Sequence, residues 1–223
     1  MKANLFVVFQ HLLPRHWLTA VIYRIARIRN ARIKDFLITR FVRVFEVDLD
    51  EVRLDVPGDF ATFNEFFVRE LKDDARKIDD DSDAIISPAD GTVSFAGKIL
   101  GDSIFQAKGF DYSLGDLLAT DLDEVDRYID GNFATIYLAP YNYHRVHAPL
   151  AGELVAARYV PGDLFSVNEA TVAKLNGLFR RNERLVMHFR TEHGPMVVIL
   201  VGALNVGSIS TPWTGEIRPR KTG

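Results

Sequence analysis

Residues 195–210, "PMVVILVGALNVGSIS", form an almost unbroken apolar run with two glycines inside it. Such a run has to be covered by other chain, so it predicts one or two buried strands. It does not stand alone. From Ala84 onward the texture is that of short strands with turn signals: "AIIS", "GTVSFAGKI", "NFATIYLA", "GELVAARYV" and "ERLVMHF". Short helices are expected over 113–128 and near 168–176. The region before residue 60 is helical in pattern. Helices first and strands after them predict an α+β fold. In it, basic amphipathic N-terminal helices precede a mainly antiparallel, β-sandwich-like domain with short helices. The expected division is a membrane-associating helical region over 1–60 and a β-rich domain over 61–223.

Hydrophobic residues make up 48% of the 223 and charged residues 26%, an ordinary balance for a packed core. There is no cysteine, which excludes disulfides, thiolate nucleophiles and cysteine-based zinc sites.

The charge is unevenly spread. Residues 1–43 hold nine Lys/Arg against the single acid Asp35, a net +8, which leaves −11 for the rest of a chain whose total is −3. An imbalance of this kind points to an anionic partner for the N-terminus. "NLFVVFQHLLP" (4–14) is apolar but shorter than the ~20 residues a bilayer span needs. Pro14 suits the first turn of a helix. After it, Trp17, Leu18, Val21, Ile22, Ile25 and Ile28 recur at helical spacing, with Arg15, Thr19, Tyr23, Arg24 and Arg27 filling much of the other side. "IKDFLITRFVRVFEV" (33–47) repeats the pattern. Two such helices in succession predict a surface that lies in an anionic membrane interface. Two helices packed on the domain, with arginines in solvent, are the plainer reading. Nucleic acid is not the expected partner, because no nucleic-acid motif appears and the basic residues are interleaved with Ile, Val and Phe.

Thr62 and Glu65 stand at the spacing of a capping box. "KDDARKIDDDSD" (72–83) reads as a solvated connector. Asp90, in "SPADGTVS", sits in a Pro-Ala-Asp-Gly turn, which alone explains many aspartates. His144 and His147, in "YLAPYNYHRVHAP" (137–149), are three apart between two prolines. They share a face in a helical turn and point to opposite faces in an extended chain. Taken alone, the pair reads as structural as readily as catalytic. Two histidines and an aspartate suffice in number for a metal hydrolase, but no metal-ligand spacing joins them. His188 reads as a strand residue and His193 as a loop residue. No G-x-S-x-G, P-loop or dinucleotide fingerprint is present.

In order along the chain, "TFNEFFVREL", "SPADGTVS", "QAKGFDYSL", "YLAPYNYHRVHAP", "YVPGDLFSVN", "LFRRNERL" and "VGALNVGSI" together resemble the bacterial membrane-associated phosphatidylserine decarboxylases, and "LLPRHWLTA" matches their N-terminal style. The resemblance covers about residues 60 to 210. It implies a proenzyme that cuts itself before a serine and turns that serine into a covalent pyruvoyl cofactor. Asp90 and His147 match the positions of the charge relay that activates the serine, a carboxylate orienting a base. His144 matches the first histidine of the motif and is the candidate proton donor at the substrate. Arg145 is a candidate partner for an anionic lipid group. The implied partners are phosphatidylserine, an anionic membrane surface, a pyruvoyl-bearing α subunit and, as an assembly the family accommodates, a homodimer. The implied location is the cytoplasmic side of the cell membrane, peripherally bound.

The family's Leu-Gly-Ser-Thr cleavage sequence is absent from these 223 residues. Val206-Gly207-Ser208-Ile209 is its nearest imitation but falls in a segment that matches another family piece. The chain is thus expected to be an incomplete proenzyme, most of the β subunit, inactive by itself. A membrane-binding homologue without catalysis is the alternative.

Overall fold

A computed structural model describes residues 10–81, 84–107, 110–120 and 125–217. Six helices in the described residues are α1 (Arg15–Ala26), α2 (Ala31–Phe45), α3 (Phe63–Phe67), α4 (Leu114–Leu118), α5 (Glu169–Val172) and α6 (Leu178–Arg181). Nine strands are β1 (Thr92–Lys98), β2 (Ser103–Ala107), β3 (Phe110–Ser113), β4 (Asn132–Tyr137), β5 (Glu153–Val160), β6 (Arg184–Thr191), β7 (Gly194–Val201), β8 (Ile209–Thr211) and β9 (Gly215–Ile217). The order is that of an α+β chain, as expected. The β2–β3, β5–β6, β6–β7 and β8–β9 ladders are antiparallel. The sheets are small: β5-β6-β7, and the pairs β1-β4, β2-β3 and β8-β9.

By packing, the chain falls into two compact units. The first comprises residues 1–21, 95–135 and 152–223, and the second 22–94 and 136–151. These units are a division by contact, of another kind from the division at residue 60 drawn from charge and texture. Each has its own core. In the first, Ile99, Ile104, Leu117, Leu118, Phe165, Leu178, Phe179 and Val186 pack together. In the second, Ile38 and Phe66 are fully buried, with Val47, Val52 and Phe60 around them.

Local chemistry explains the helix ends. The Asn30 side chain caps α2 by accepting from the Ile33 N–H, and Glu46 ends it in the left-handed conformation at φ 53°. Thr62 caps α3 by accepting from the Glu65 N–H at 3.1 Å. The Glu65 carboxylate reaches back one residue further than a standard box, to the Ala61 N–H at 2.8 Å. In the first unit Ser113 and Asn168 cap α4 and α5 in the same way.

Two expectations are corrected, and one hairpin is added to them. The apolar run 195–210 supplies β7 and β8, but β7 is only part-buried. It is an edge strand, and the buried centre of the sheet is β6, at Leu185, Val186 and Met187. "AIIS" forms no strand. Ile86 makes one ladder-like bond, to the Pro149 carbonyl at 3.0 Å. Pro88 and Pro149 have no N–H with which to extend it. The β2–β3 hairpin went unread because Gln106 and the bulge between Phe105 and Ala107 break its alternation. Gln106 is buried there with every polar atom used, donating to Val172 and Leu175 carbonyls and accepting from the Leu178 N–H.

At its start the first helix turns an arginine inward, while Arg24 near its end stays exposed. In the first unit, Arg15 donates to both oxygens of Asp163, at 2.7 and 2.6 Å, and lies over the Phe165 ring. Thr19 is buried and accepts from the Asn205 N–H. Trp17 is left 66% exposed. On α2, Ile33, Phe36 and Val44 are likewise exposed while Lys34 is buried, its ammonium on Asp35 and on the Pro57 carbonyl. No helix among the described residues is long and apolar enough to cross a membrane.

Candidate active site

The second unit brings three distant stretches together: the tail of α3 (66–70), the Pro-Ala-Asp-Gly loop (88–91) and the histidine segment (139–149). The histidine segment opens with a turn. Pro140 occupies its second position, the Asn142 N–H donates to the Ala139 carbonyl, and the Asn142 side chain accepts from the Ala139 N–H at 2.7 Å. After the turn the chain is neither helix nor strand through residue 148. It is fixed instead by its neighbours.

One neighbour is the aspartate loop. The His147 N–H donates to the Pro88 carbonyl at 2.7 Å, next to the Ile86–Pro149 bond. The loop lies hard against β4, since a Cβ on Gly91 would stand 2.5 Å from the Tyr137 carbonyl oxygen. Only glycine fits there. The other neighbour is the tail of α3. The Phe67 ring stacks on His144 at 4.1 Å between centroids. Arg69 donates through Nη2 to the Tyr141 carbonyl at 3.0 Å and, more weakly, to that of Asn142 at 3.5 Å. Arg145 returns the contact, donating to the Val68 carbonyl and to Glu70 at 2.8 and 2.9 Å. Arg145, a candidate lipid contact on sequence grounds, is thus engaged inside the unit.

Asp90 and His147 are brought into one neighbourhood, but their side chains do not bond. Asp90 holds Arg76 through both oxygens, at 2.9 and 2.5 Å, and the same guanidinium holds Glu51 through both of its own, at 2.7 and 2.9 Å. Arg76 belongs to the stretch read as a solvated connector, and that reading is corrected at this residue. His147 is exposed. Its Nε2 shares a hydrogen bond of 3.0 Å with the Tyr143 hydroxyl, and the two rings stack. Burial raises the Tyr143 phenol above its ordinary range, so the hydroxyl keeps its proton at neutral pH.

His144 is the more enclosed histidine. Burial lowers its pKa from 6.5 to about 4, against the pull of the Pro140 and Ala139 carbonyls, and the nearby Arg69 charge lowers it further. The ring is neutral at neutral pH. Its Nε2 is buried without a partner, so the proton shared with the carbonyls is on Nδ1 and Nε2 presents a lone pair. Arg69 has the same peculiarity. It is 4% exposed, yet its Nε and Nη1 have no acceptor. Among the described residues, no group of three or more His, Asp or Glu is placed to hold a metal ion.

Sequence reasoning named Asp90, His144 and His147 but not Arg69, Arg76, Tyr143 or Phe67. For Arg69, Phe67 and Tyr143 the usable signal was chemical, a cation and two aromatic rings inside the motif segments "FFVRE" and "YNYHRVH", whereas Arg76 lies in the charged run 72–83.

The phosphatidylserine decarboxylase family model matches residues 63–221, and a model described as PSD matches residues 5–46. The chain is 48% identical over 219 residues to the phosphatidylserine decarboxylase proenzyme of Saccharophagus degradans, covering 98% of this chain and 77% of that protein. It is 49% identical over 220 residues to the proenzyme of Alcanivorax borkumensis, covering 98% and 76%. Against the proenzyme of Bordetella pertussis the values are 48% over 220 residues, covering 99% and 74%.

Proposed function

The chain belongs to the phosphatidylserine decarboxylase family, whose members convert phosphatidylserine to phosphatidylethanolamine, and on that premise we propose that its second unit carries the relay and the proton-handling residues of a self-processing decarboxylase. The observation that carries this reading is the pair of backbone bonds that clasp the aspartate loop to the histidine segment, His147 to Pro88 and Ile86 to Pro149.

His147 is the relay base and Asp90 its orienting carboxylate. The hydroxyl now on His147 Nε2 belongs to Tyr143, so that nitrogen is already placed to receive a proton from an alcohol. A serine hydroxyl takes the place of the phenol in processing. Asp90 exchanges one of its two Arg76 bonds for the other ring nitrogen of His147. Arg76 stays bridged to Glu51 and keeps the carboxylate in reach.

The buried atoms without partners suit an active site that also serves a pyruvoyl group, which supplies the electron sink for loss of the carboxylate. His144 handles the substrate's proton. Its Nε2 lone pair accepts a hydrogen bond from the substrate's amine and orients it, and the ring relays a proton from solvent to Cα once the carboxylate has left. The low proton affinity of the ring favours its waiting in the neutral form.

The exposed Trp17, Phe36 and Val44, beside Arg24, Arg40 and Arg43, fit helices that rest peripherally in the interface of the cell membrane, on its cytoplasmic, anionic side. On α1, Arg15 and Thr19 are engaged by the protein, which leaves Trp17 and Ile25 for lipid.

The test is processing. In a proenzyme that includes a Leu-Gly-Ser-Thr segment, His147→Ala and Asp90→Asn should leave one uncut band on a denaturing gel. Normal cleavage in His147→Ala removes it from the relay. The 223 residues alone contain no such segment and are expected to release no carbon dioxide from phosphatidylserine. Deleting residues 1–43 should abolish binding to anionic vesicles, and salt should weaken binding of the intact chain.

A further inference from the structure

The second unit holds a buried cation that its own chain does not finish. A guanidinium has five N–H donors, and three of them, one on Arg69 Nε and two on Nη1, find no acceptor. Buried polar groups in folded proteins are nearly always paired, so an acceptor is owed to this site. The nearby carboxylates do not supply it. Asp90 and Glu51 both close on Arg76, and Glu70 on Arg145 and Arg53. The third orphan, His144 Nε2, belongs to the same locus: Arg69 bonds the carbonyls of the two residues before Tyr143, and its charge acts on the His144 ring. Side by side, the site presents a cluster of donors carrying positive charge and one neutral acceptor.

We propose that Arg69 is the residue that binds the α-carboxylate of the serine headgroup, while His144 Nε2 accepts from its amine. An α-amino acid has this complementary pair of groups, an anionic acceptor and a cationic donor on one carbon. The proposal rests on the decarboxylase reading and deepens it. Arg69 distinguishes substrate from product, because loss of carbon dioxide removes the group that it binds and leaves the amine and phosphodiester unchanged. The stretch 141–147, outside any helix or strand, supplies the carbonyls that now hold Arg69 and has to give way for the carboxylate to enter. The long 3.5 Å contact to Asn142 is the one it gives up first.

The experiment compares two soluble headgroups on the 223-residue chain. Glycerophosphoserine and glycerophosphoethanolamine share amine and phosphodiester and differ only in the carboxylate. Binding is read from the histidine nitrogen resonances in NMR titrations. The expected result is roughly tenfold or more tighter binding of glycerophosphoserine, as for one charge-assisted hydrogen bond, with the His144 signals moving. Arg69→Gln should bring the two ligands to the same affinity, and Arg69→Lys should keep part of the difference. Equal binding by the wild-type chain, no binding by either ligand, or discrimination that survives in Arg69→Gln overturns the proposal. Equal binding assigns the contact to the phosphodiester or amine instead. The wild-type comparison needs no variant to fold. Proenzyme processing is a separate readout: if Asp90→Asn and His147→Ala still block it, the relay stands even where the Arg69 assignment falls.

Discussion

Arg184 in the first unit and Arg69 in the second are equally buried, at 3% and 4% exposure, and are finished differently. Arg184 uses every nitrogen. Nε donates to the Leu117 carbonyl, Nη2 to that of Asp116, and Nη1 to those of Arg180 and Asn182, at 2.6 to 3.2 Å. It gathers the loose carbonyls at the ends of α4 and α6 and ties them to the start of β6. Arg69 uses one nitrogen of three. Burial lowers the proton affinity of both side chains. Burial alone therefore does not separate a structural arginine from one that awaits a ligand. The count of unmet donors does.

The difference extends beyond the arginines. In the first unit Gln106 and Asn182 are completely buried and have their amide groups paired, Asn182 with Phe165 and Gly202. All three unpartnered buried side-chain atoms among the described residues lie in the second unit, at Arg69 and His144. A chain that satisfies its buried polar groups in one unit and leaves a cation and a lone pair open in the other is paying for function at the second place.

The comparison breaks most easily on stability. Arg184→Met strips the acceptors at Leu117, Asp116 and Arg180 of their donor and should cost about 3–5 kcal/mol in urea unfolding of the chain. Arg69→Met should cost about 1 kcal/mol or less, since loss of the Tyr141 bond is offset by relief of donors buried unpaired. Equal losses at the two sites would show that Arg69 is as structural as Arg184.

The next effect is the pH dependence that His144 contributes in the second unit. The unfolded chain protonates His144 near pH 6.5, while the folded chain resists until about pH 4. Between those values the unfolded state binds more protons. Stability therefore falls as the pH falls through that window and levels off below it, by an amount on the order of 2–3 kcal/mol. His144→Asn should flatten this slope in unfolding curves measured from pH 7 to pH 4. A slope that persists unchanged would place the titration elsewhere.

How much of this could be read from the chain itself divides along the same line. Periodicity located α1 and α2, the Thr62/Glu65 spacing located the start of α3, and strand texture with turn signals located β1, β4, β5 and β6, because those signals are local. The orientation of α1 was not local. Arg15 looked solvated until Asp163, 148 residues away, turned it inward. Asp90, His144 and His147 were named through resemblance, since a turn aspartate and two histidines between prolines carry no geometry of their own. Their partners lay in stretches with innocent readings: Arg69 in the tail of a short helix, and Arg76 in a run of charges. Whether a buried donor has an acceptor depends on which distant carbonyl arrives beside it, and no spacing rule reports that.

Arg76 provides the smallest effect and the sharpest control. It is the converse of Arg69, part-exposed and saturated with charge, and its bonds to Asp90 and Glu51 raise its proton affinity. Ion pairs open to water contribute little, because solvent screens the attraction and two long side chains lose freedom to form it. Arg76→Gln should therefore change unfolding stability by under ~1 kcal/mol, against the many bonds drawn around it. Its effect on the site should be different in kind. Without Arg76 the Asp90 carboxylate loses both of its hydrogen bonds to a side chain and is free to swing. In a proenzyme carrying the Leu-Gly-Ser-Thr segment, self-cleavage should slow in Arg76→Gln and recover in part in Arg76→Lys, with stability alike in both. A variant that lost more than ~2 kcal/mol would make Arg76 a structural residue like Arg184, since pairs of this exposure do not contribute that much. A variant that kept its stability and processed at the normal rate would leave the bridge to Asp90 without a role in the relay.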